Sequence, residues 1–425
     1  MQTTVRTIAS LICLLIGFIS NEVYGNTVSN TNTTTSNAAS ASPEKYDLDI
    51  DGIYYCITSV DNLSVEVVGG ENVYSGEIDI PDFVNYRGRQ FRVTSIGDTC
   101  FLNSSITNIT IGSNILTIGK RSFQNCKSLT SVVFSDGTDL LTIKYDFKHG
   151  GRYGNERGAS FVNCPIQHLY IGRDISPEKG FAFYGLSNAS EIIIGPTVTK
   201  IHTNIWTGAT KINTLKIPAS VIYIGFSVFR ECDELKSLYF EDGADNLNYN
   251  ADIGSKPIEY LYIGRNFINY NPYLGSTMIN KVDIGPQVTR LISLNDLSNL
   301  SEIKIPKNIE EIGSFEGCYN LRNIYCMNDN PPISDYDNVF DDVVFAMATL
   351  YVPKGRVETY QSAKIWKKFF EIKEFDENAA SPTISVDENV GVVGIFDING
   401  RRLSHTQNGL NIVKYSNGTV KKIVL

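Results

Sequence analysis

The sequence predicts a β-rich repeat solenoid of about 11 coils, stacked so that one strand of each coil joins a parallel β-sheet. Three observations predict it. A short phrase recurs every 21 to 23 residues, its apolar positions alternate as they do in strands, and a second apolar phrase with an aromatic residue follows it. A period in the twenties is typical of solenoids, because one such repeat cannot bury its own apolar face.

The recurring phrase is an apolar residue, any residue, and a second apolar residue, usually followed by Gly or Pro. Side chains alternate along a strand, so the two apolar positions point inward and the middle position points to solvent. The phrase occurs at Ile109–Ile111, Leu169–Ile171, Ile192–Ile194, Leu215–Ile217, Leu238–Phe240, Leu261–Ile263, Val282–Ile284, Ile303–Ile305 and Ile324–Cys326.

The second apolar phrase follows the turn after each strand, as in Val93–Gly97, Leu116–Gly119 and Val221–Gly225. An aromatic residue and a small residue three positions later come next. These pairs are Phe123 and Cys126, Phe161 and Cys164, Phe229 and Cys232, and Phe315 and Cys318. Each coil is therefore expected to hold a strand, a bend, a short return segment and an aromatic wedge.

Four of the eight cysteines occupy this one repeat position. Cys126 and Cys164 belong to adjacent coils, about 5 Å apart and within disulfide reach, so a bond between them stays open. Cys232 and Cys318 are four coils apart and cannot pair. We interpret most of these thiols as core filler, since a free Cys behaves as a small hydrophobe. The chain lacks C-x-x-C and paired-His spacings, so no metal site is expected.

The two ends of the chain differ from the repeats. Residues 1–25 are predicted to be a secretory signal peptide, with Arg6, the apolar run Ile8–Ile19 and the small Gly25 at the cleavage point. Residues 26–43 are a flexible low-complexity linker. Residues 384–425 form a small β domain with two Asn-Gly hairpin turns, after a linker at 377–383.

An insertion loop at 144–160 interrupts the period, since the step from Val132 to Leu169 is longer than one coil. Insertions in solenoids become loops that often lie beside the binding face. The insertion carries Lys, Arg and aromatic side chains. It is either a flap that contacts a ligand or an ordinary solvated loop.

Composition excludes several classes of function. The chain of 425 residues is 42% hydrophobic and 20% charged, which is typical of a globular protein. A net charge of -9 argues against nucleic acid as a partner, which requires clustered cations. The four His residues lie in no catalytic motif, so we expect neither enzymatic activity nor a cofactor. No transmembrane segment is expected after removal of the signal.

The pattern V-x-x-I-G-x-x-x-F-x-x-C-x-x-L-x-x-I-x-I-P resembles the BspA-like leucine-rich repeats, of the Treponema pallidum type, found in surface proteins of Bacteroidetes. It is clearest in 116–134, 221–240 and 309–326. The repeats then cover 93–353. Residues 44–92 look like the family's N-terminal cap, and 354–376 like its C-terminal cap, with Trp366 and Phe369 over the last coil. Residues 384–425 are similar to a type IX secretion sorting domain, although they are shorter than its full-length form.

The solvent face of the sheet is the predicted binding surface. Tyr is frequent at its outward positions and gives large contact area at low entropy cost. The alternative is that Tyr simply suits strands. The candidate ligand-binding residues are Tyr170, Lys216, Tyr239, Tyr260, Tyr262, Lys281 and Tyr325.

The resemblance implies a non-catalytic protein, displayed on the outer membrane or secreted, that adheres to host matrix proteins or to other cells. Capture of a glycan and a structural role in the envelope are the alternatives. The expected partner is thus a protein or a glycan, and we expect the chain to be a monomer.

Overall fold

The computed structural model describes residues 46–150, 158–178, 182–251, 253, 256–268 and 278–375, and strand segments at 392–396, 402–403, 410–415 and 420–424. The predicted signal peptide, and the linkers at 26–43 and 377–383, lie outside the described residues.

Short strands make up most of the described chain. They are β1 (Leu48–Ile50), β2 (Ile53–Ser59), β3 (Ser64–Val68), β4 (Ser75–Ile80), β5 (Phe83–Tyr86), β6 (Arg89–Ile96), β7 (Ser105–Ile111), β8 (Thr117–Ile118), β9 (Ser131–Phe134), β10 (Leu141–Ile143), β11 (His168–Ile171), β12 (Ile175–Pro177), β13 (Glu191–Ile194), β14 (Lys200–Ile201), β15 (Thr214–Ile217), β16 (Tyr223–Ile224), β17 (Ser237–Phe240), β18 (Asn248–Tyr249), β19 (Tyr260–Ile263), β20 (Lys281–Ile284), β21 (Arg290–Leu291), β22 (Glu302–Ile305), β23 (Glu311–Ile312), β24 (Asn323–Cys326), β25 (Thr349–Pro353), β26 (Glu371–Phe375), β27 (Val392–Phe396), β28 (Arg402–Leu403), β29 (Leu410–Tyr415) and β30 (Val420–Val424).

The described helices are short. They are α1 (Phe147–Gly150), α2 (Asp342–Met347), α3 (Val357–Ser362) and a 3₁₀ turn at Trp366–Lys368. Within the described residues, no helix has the length and apolar character needed to cross a bilayer.

The predicted phrase forms one parallel strand in every coil. These strands pair in the orders β4-β7-β9-β11-β13, β15-β17-β19-β20 and β22-β24-β25-β26. Pairing is in register from coil to coil, so that Leu215 lies beside Leu238 and Leu238 beside Leu261. Equivalent residues therefore form columns along the sheet, and the outward positions of these strands form one surface, which we call the outer face. The predicted solenoid of parallel coils is confirmed.

The second apolar phrase forms the opposite side of each coil. Its short strands also pair in parallel, as β6-β8-β10-β12, β14-β16-β18 and β21-β23. At the N-terminal end, β2 pairs antiparallel with both β1 and β3. This antiparallel hairpin covers the first coil.

The core lies between the two sides of the coil, and the aromatic residues of the repeats fill it. Phe101, Phe123 and Phe161 are buried and stack at ring-centroid distances of 5.0 and 4.6 Å. At the C-terminal end Trp366 is 1% exposed, and its indole Nε1 donates to the carbonyl oxygen of Pro332 at 2.9 Å. Trp366 and Phe369 are both buried there.

The cysteine position of the repeat makes a specific hydrogen bond as well as filling space. The thiols of Cys126, Cys164 and Cys318 donate to the carbonyl oxygens of Phe101, Phe123 and Leu294, each in the preceding coil, at 2.9 to 3.0 Å. Cys126 and Cys164 are both thiols in the structure and do not form a disulfide. Burial raises the pKa of the Cys318 thiol to about 12.

The residue before the cysteine position adopts a left-handed backbone conformation. Asn103, Asn125 and Asn163 have φ of 60, 62 and 61°, and Gly208 and Gly317 occupy the same place in later coils. Asn and Gly tolerate this conformation best. The amide of Asn125 donates to Asn103 at 3.0 Å, and that of Asn163 donates to Asn125 at 2.8 Å, so the three side chains form a ladder across the coils.

Two arginines are buried in the array, although they are charged. Arg173 and Arg265 are both 0% exposed. Arg265 donates to the carbonyl oxygens of Pro218, Ala219 and Val221, each at 2.7 Å. Arg173 donates in the same way to the carbonyl oxygens of Gly112 and Ser113. Each arginine thus hydrogen-bonds the turn two coils back, and burial lowers the pKa of both guanidinium groups to about 10.

The insertion at 144–160 begins and ends inside the core. Tyr145 is 3% exposed and Ser160 is 1% exposed, and the Ser160 carbonyl accepts a hydrogen bond from the Phe123 amide at 3.0 Å. Between them, His149 Nδ1 lies 2.5 Å from an Asp146 carboxylate oxygen. Residues 151–157 lie outside the described residues.

The C-terminal strands form a separate antiparallel sheet in the order β28-β27-β29-β30. Strand β27 pairs with β28, and β29 pairs with β30. The predicted Asn-Gly turns at 399–400 and 417–418 each fall between the two strands of one pair in the sequence, and they lie outside the described residues. These four strands form one small sheet, and the separate β domain stays a prediction.

Candidate binding face

Five of the seven predicted site residues come together on the outer face. Lys216, Tyr239, Tyr260, Tyr262 and Lys281 lie on the four neighbouring strands β15, β17, β19 and β20. We call them the tyrosine patch. Their inward neighbours Leu215, Leu238, Leu261 and Val282 are at most 4% exposed, so the core fixes which side chains point outward.

The three tyrosine rings contact one another. The Tyr239 ring centroid lies 5.2 Å from that of Tyr260 and 6.3 Å from that of Tyr262, in tilted arrangements. The register explains this proximity, because Tyr239 is paired directly with Tyr262 on the next strand. Rings at these distances are in the range of favourable aromatic pairs.

Two carboxylates fix the positions of the rings. The Tyr260 hydroxyl donates to Asp283 at 2.8 Å, and the Tyr262 hydroxyl donates to Asp242 at 2.8 Å. Burial and the neighbouring Asp242 carboxylate raise the pKa of Tyr262 to about 12. Both hydroxyls therefore stay protonated as donors at neutral pH, and both rings are held before any ligand arrives.

Lysine side chains lie over two of the ring faces. The Lys216 Nζ is 5.6 Å from the centroid of Tyr239, and the Lys281 Nζ is 5.2 Å from that of Tyr260. These are cation–π distances. Lys281 also pairs with Asp283 at 3.1 Å. The ammonium groups of Lys216 and Lys281 thus lie over the faces of Tyr239 and Tyr260.

Tyr325 belongs to a second cluster at the C-terminal end of the outer face. It stacks on Tyr351 at 4.5 Å with planes 11° apart, and Phe375 contacts it edge-on at 6.0 Å. Lys304 lies over the Tyr325 ring at 5.7 Å. Because the two rings stack along the solenoid axis, they turn their edges outward. Strands β20 and β22 separate Tyr325 on β24 from the nearest patch tyrosines, which lie on β19.

Tyr170 stands apart from the patch on β11. Its hydroxyl donates to Asp136 at 2.6 Å. The contact repeats the bond between Tyr262 and Asp242 about four coils earlier. Strand β13, with Ile193 at its outward position, lies between Tyr170 and Lys216.

Asp136 and Asp242, which accept the hydrogen bonds from Tyr170 and Tyr262, were not among the predicted site residues. A signal for them exists in the sequence. The segments 134–137 (FSDG) and 240–243 (FEDG) each precede a copy of L-Y-I-G-R, at 169–173 and 261–265. In each copy, the aspartate before Gly accepts a hydrogen bond from the tyrosine of the following L-Y-I-G-R.

Within the part of the chain that the structure describes, no group of three or more His, Cys, Asp or Glu side chains could hold a metal ion. The acidic residues near the last coil pair with cations instead, for example Asp337 with Lys364 at 2.7 Å and Asp329 with Arg356 at 3.0 Å.

The fold and the outer face define a repeat solenoid with parallel strands in register. The chain belongs to the BspA-type leucine-rich repeat family: the model of the BspA type leucine rich repeat region matches it in six copies, over residues 89–147, 157–280 and 265–343. Repeats of this kind form a fold that is typically non-catalytic. No curated protein matches the chain.

Several solved structures are similar to it. A leucine-rich repeat protein from Bacteroides ovatus is 22% identical, with a TM-score of 0.34, over 78% of this chain and 100% of that one. A leucine rich cell surface protein from Faecalibacterium prausnitzii is 16% identical, with a TM-score of 0.28, over 80% and 97%. The T. pallidum leucine rich repeat protein is 12% identical, with a TM-score of 0.28, over 63% and 87%.

Proposed function

We propose that this chain is a non-catalytic surface or secreted binding protein that takes a protein partner through the tyrosine patch. Adhesion to host matrix proteins or to other cells is the corresponding activity. The observation that carries the proposal is the convergence of three held tyrosines and two lysines on four adjacent strands. Tyr residues in such numbers are typical of protein-binding surfaces.

Size supports a role for the patch as the centre of a larger contact. Four strands spaced ~4.8 Å apart, with about four residues of ~3.3 Å each, cover roughly 250 Å². A stable protein interface buries about 800 Å² on each partner. The patch would therefore supply the residues that dominate affinity, while the neighbouring strands of the outer face supply the surrounding area.

Ring orientation favours a protein over a glycan. A sugar stacks its apolar face on an open aromatic face. Here lysine ammonium groups lie over Tyr239 and Tyr260, and Tyr325 and Tyr351 stack on each other. Ring edges, methylene stems and hydroxyls suit the mixed surface of a protein. Glycan capture and a structural role in the envelope are outcomes that the test below separates.

The test is a binding screen of the purified chain against arrays of matrix proteins, bacterial surface proteins and glycans. A patch variant changes Tyr239, Tyr260 and Tyr262 to Ser. A matched control changes Tyr319 and Tyr336 to Ser, since these are exposed tyrosines outside the outer face. A protein hit lost only in the patch variant supports the proposal. A glycan hit, or a hit indifferent to the patch, contradicts it.

Export is the second part of the proposal, and it is supported by the leader-like residues 1–25 and by membership of the family. If 384–425 is a sorting domain, a chain without it should accumulate in the periplasm. Surface labelling of whole cells, compared between the full chain and the deletion, measures this. Normal display of the deleted chain would contradict the sorting role.

A further inference from the structure

The cations of the outer face differ in whether a carboxylate neutralises them. Four of them have such a partner. The pairs are His168 with Glu191 at 3.1 Å, Lys281 with Asp283 at 3.1 Å, Lys304 with Glu302 at 3.7 Å, and Lys373 with Glu371 at 2.6 Å. Each pair lies within one strand or between two adjacent ones. The face thus largely satisfies its own charges.

Lys216 is the exception among the described residues of this face. Its ammonium group contacts the Tyr239 ring at 5.6 Å and makes no ion pair or hydrogen bond with the described residues. A ring face attracts an ammonium group through its quadrupole and leaves its charge in place. Lys216 is therefore held in position with its positive charge and its three donors still available.

The surroundings of Lys216 are apolar on both sides along the outward column. Ile193 on β13 is 45% exposed, and Tyr239 lies on β17. A group bound to the Lys216 ammonium would have these two side chains beside it. Apolar neighbours exclude water, and a charge-assisted hydrogen bond is stronger in such surroundings.

From these observations we infer that Lys216 is the specificity-determining residue of the face and binds a carboxylate of an acidic protein segment, an Asp or Glu side chain flanked by apolar residues. The inference rests on the proposed function and adds the chemistry of the partner. The overall charge of -9 makes it selective, because non-specific attraction of acidic chains to this protein is unfavourable.

Lys304 provides a matched control. Like Lys216, it lies over a tyrosine ring of the outer face, at 5.7 Å from Tyr325. Unlike Lys216, it is paired with Glu302. Lys216→Met and Lys304→Met remove the same charge and keep similar stems, so a difference between them reports on the availability of the ammonium group.

The experiment measures the affinity of the full chain for two immobilised peptides, TVTVEVTVT and TVTVQVTVT, which differ only in the central carboxylate. We expect the Glu peptide to bind at least about tenfold more tightly, the factor that one charge-assisted hydrogen bond contributes. Lys216→Met should abolish this preference, and Lys304→Met should retain it.

Equal affinity for the two peptides, no binding of either, or a preference that survives Lys216→Met would overturn the inference. A uronic-acid oligosaccharide that bound with the same dependence on Lys216 would overturn the assignment to a protein segment. These results are distinguishable from failure of the proposed function, because an array hit that requires the three tyrosines but not Lys216 leaves that function standing.

Discussion

The buried Arg265 provides a sharp test of how the coils are held together. Arg265 is fully buried, and its guanidinium is within 2.7 Å of the carbonyl oxygens of Ala219 and Val221. The perturbation is Arg265→Met, which keeps an unbranched apolar side chain and removes the donors. It leaves the carbonyl groups of Pro218, Ala219 and Val221 without this partner.

The magnitude follows from those three acceptors. Each polar group left unsatisfied costs about 1–3 kcal/mol. We therefore expect Arg265→Met to lower the free energy of unfolding by about 3–5 kcal/mol. The removed desolvation penalty of the guanidinium offsets part of the loss, and the expected range includes that offset.

The assay is equilibrium urea denaturation at neutral pH, followed by circular dichroism and by fluorescence. Coincident transitions from the two probes establish that the array unfolds cooperatively. The control is Arg230→Met, since Arg230 is exposed and pairs only with Glu231 at 3.4 Å. We expect the control to change stability by less than about 0.5 kcal/mol. A loss below about 1 kcal/mol for Arg265→Met, or equal losses in both variants, would refute the reasoning.

Three further predictions concern the repeat itself. Arg173→Met should be as destabilising as Arg265→Met in the same denaturation assay, because it makes the equivalent contacts; a neutral effect would contradict the equivalence. Asn125→Ala should cost about 1–2 kcal/mol, since φ is 62° there, whereas Asn125→Gly should cost less; equal losses would argue against backbone strain. Burial raises the pKa of Cys232, Cys318 and Cys326 from 9.0 to about 12, so each thiol stabilises the fold fully below pH 9 and loses this contribution as pH rises to 12. The free energy of unfolding from urea denaturation should be lower at pH 10 than at pH 7 by about 1.4 kcal/mol per thiol, and the decrease should be smaller in Cys318→Ser; equal free energies at the two pH values would show that the fold does not raise the thiol pKa values.

The columns of the sheet could be predicted from the sequence. The strands stack in register, so residues that are one repeat apart in the sequence lie side by side in the sheet. Tyr239 and Tyr262 are 23 residues apart and lie side by side for this reason alone. The same period predicted that Lys216 and Lys281 lie on the strands next to these tyrosines. Tyr325 was grouped with them by type, but strands β20 and β22, with charged outward residues, separate it from the tyrosines of the patch.

The buried arginines could not be predicted from the same pattern. A charged residue after a strand is ordinarily exposed, and only the fold shows that Arg265 reaches the turn two coils back. In the intervening coil, Gly243 packs closely against both ends of this contact: a Cβ atom there would lie 3.3 Å from the Ala219 Cβ and 3.5 Å from the Arg265 side chain. The orientation of the tyrosine rings could not be predicted from the repeat pattern either, because it depends on the hydrogen bonds from the ring hydroxyls to Asp242 and Asp283.

The most direct test of the central claim, that the outer face is a protein-binding surface, is the affinity of the partner identified on the arrays. It is measured for the wild-type chain, for Tyr239→Ser and for Tyr319→Ser by surface plasmon resonance. Residues that dominate an interface contribute about 2 kcal/mol or more, which is roughly thirtyfold in Kd. We expect such a loss for Tyr239→Ser and no change for Tyr319→Ser. Equal affinity for all three chains would contradict it.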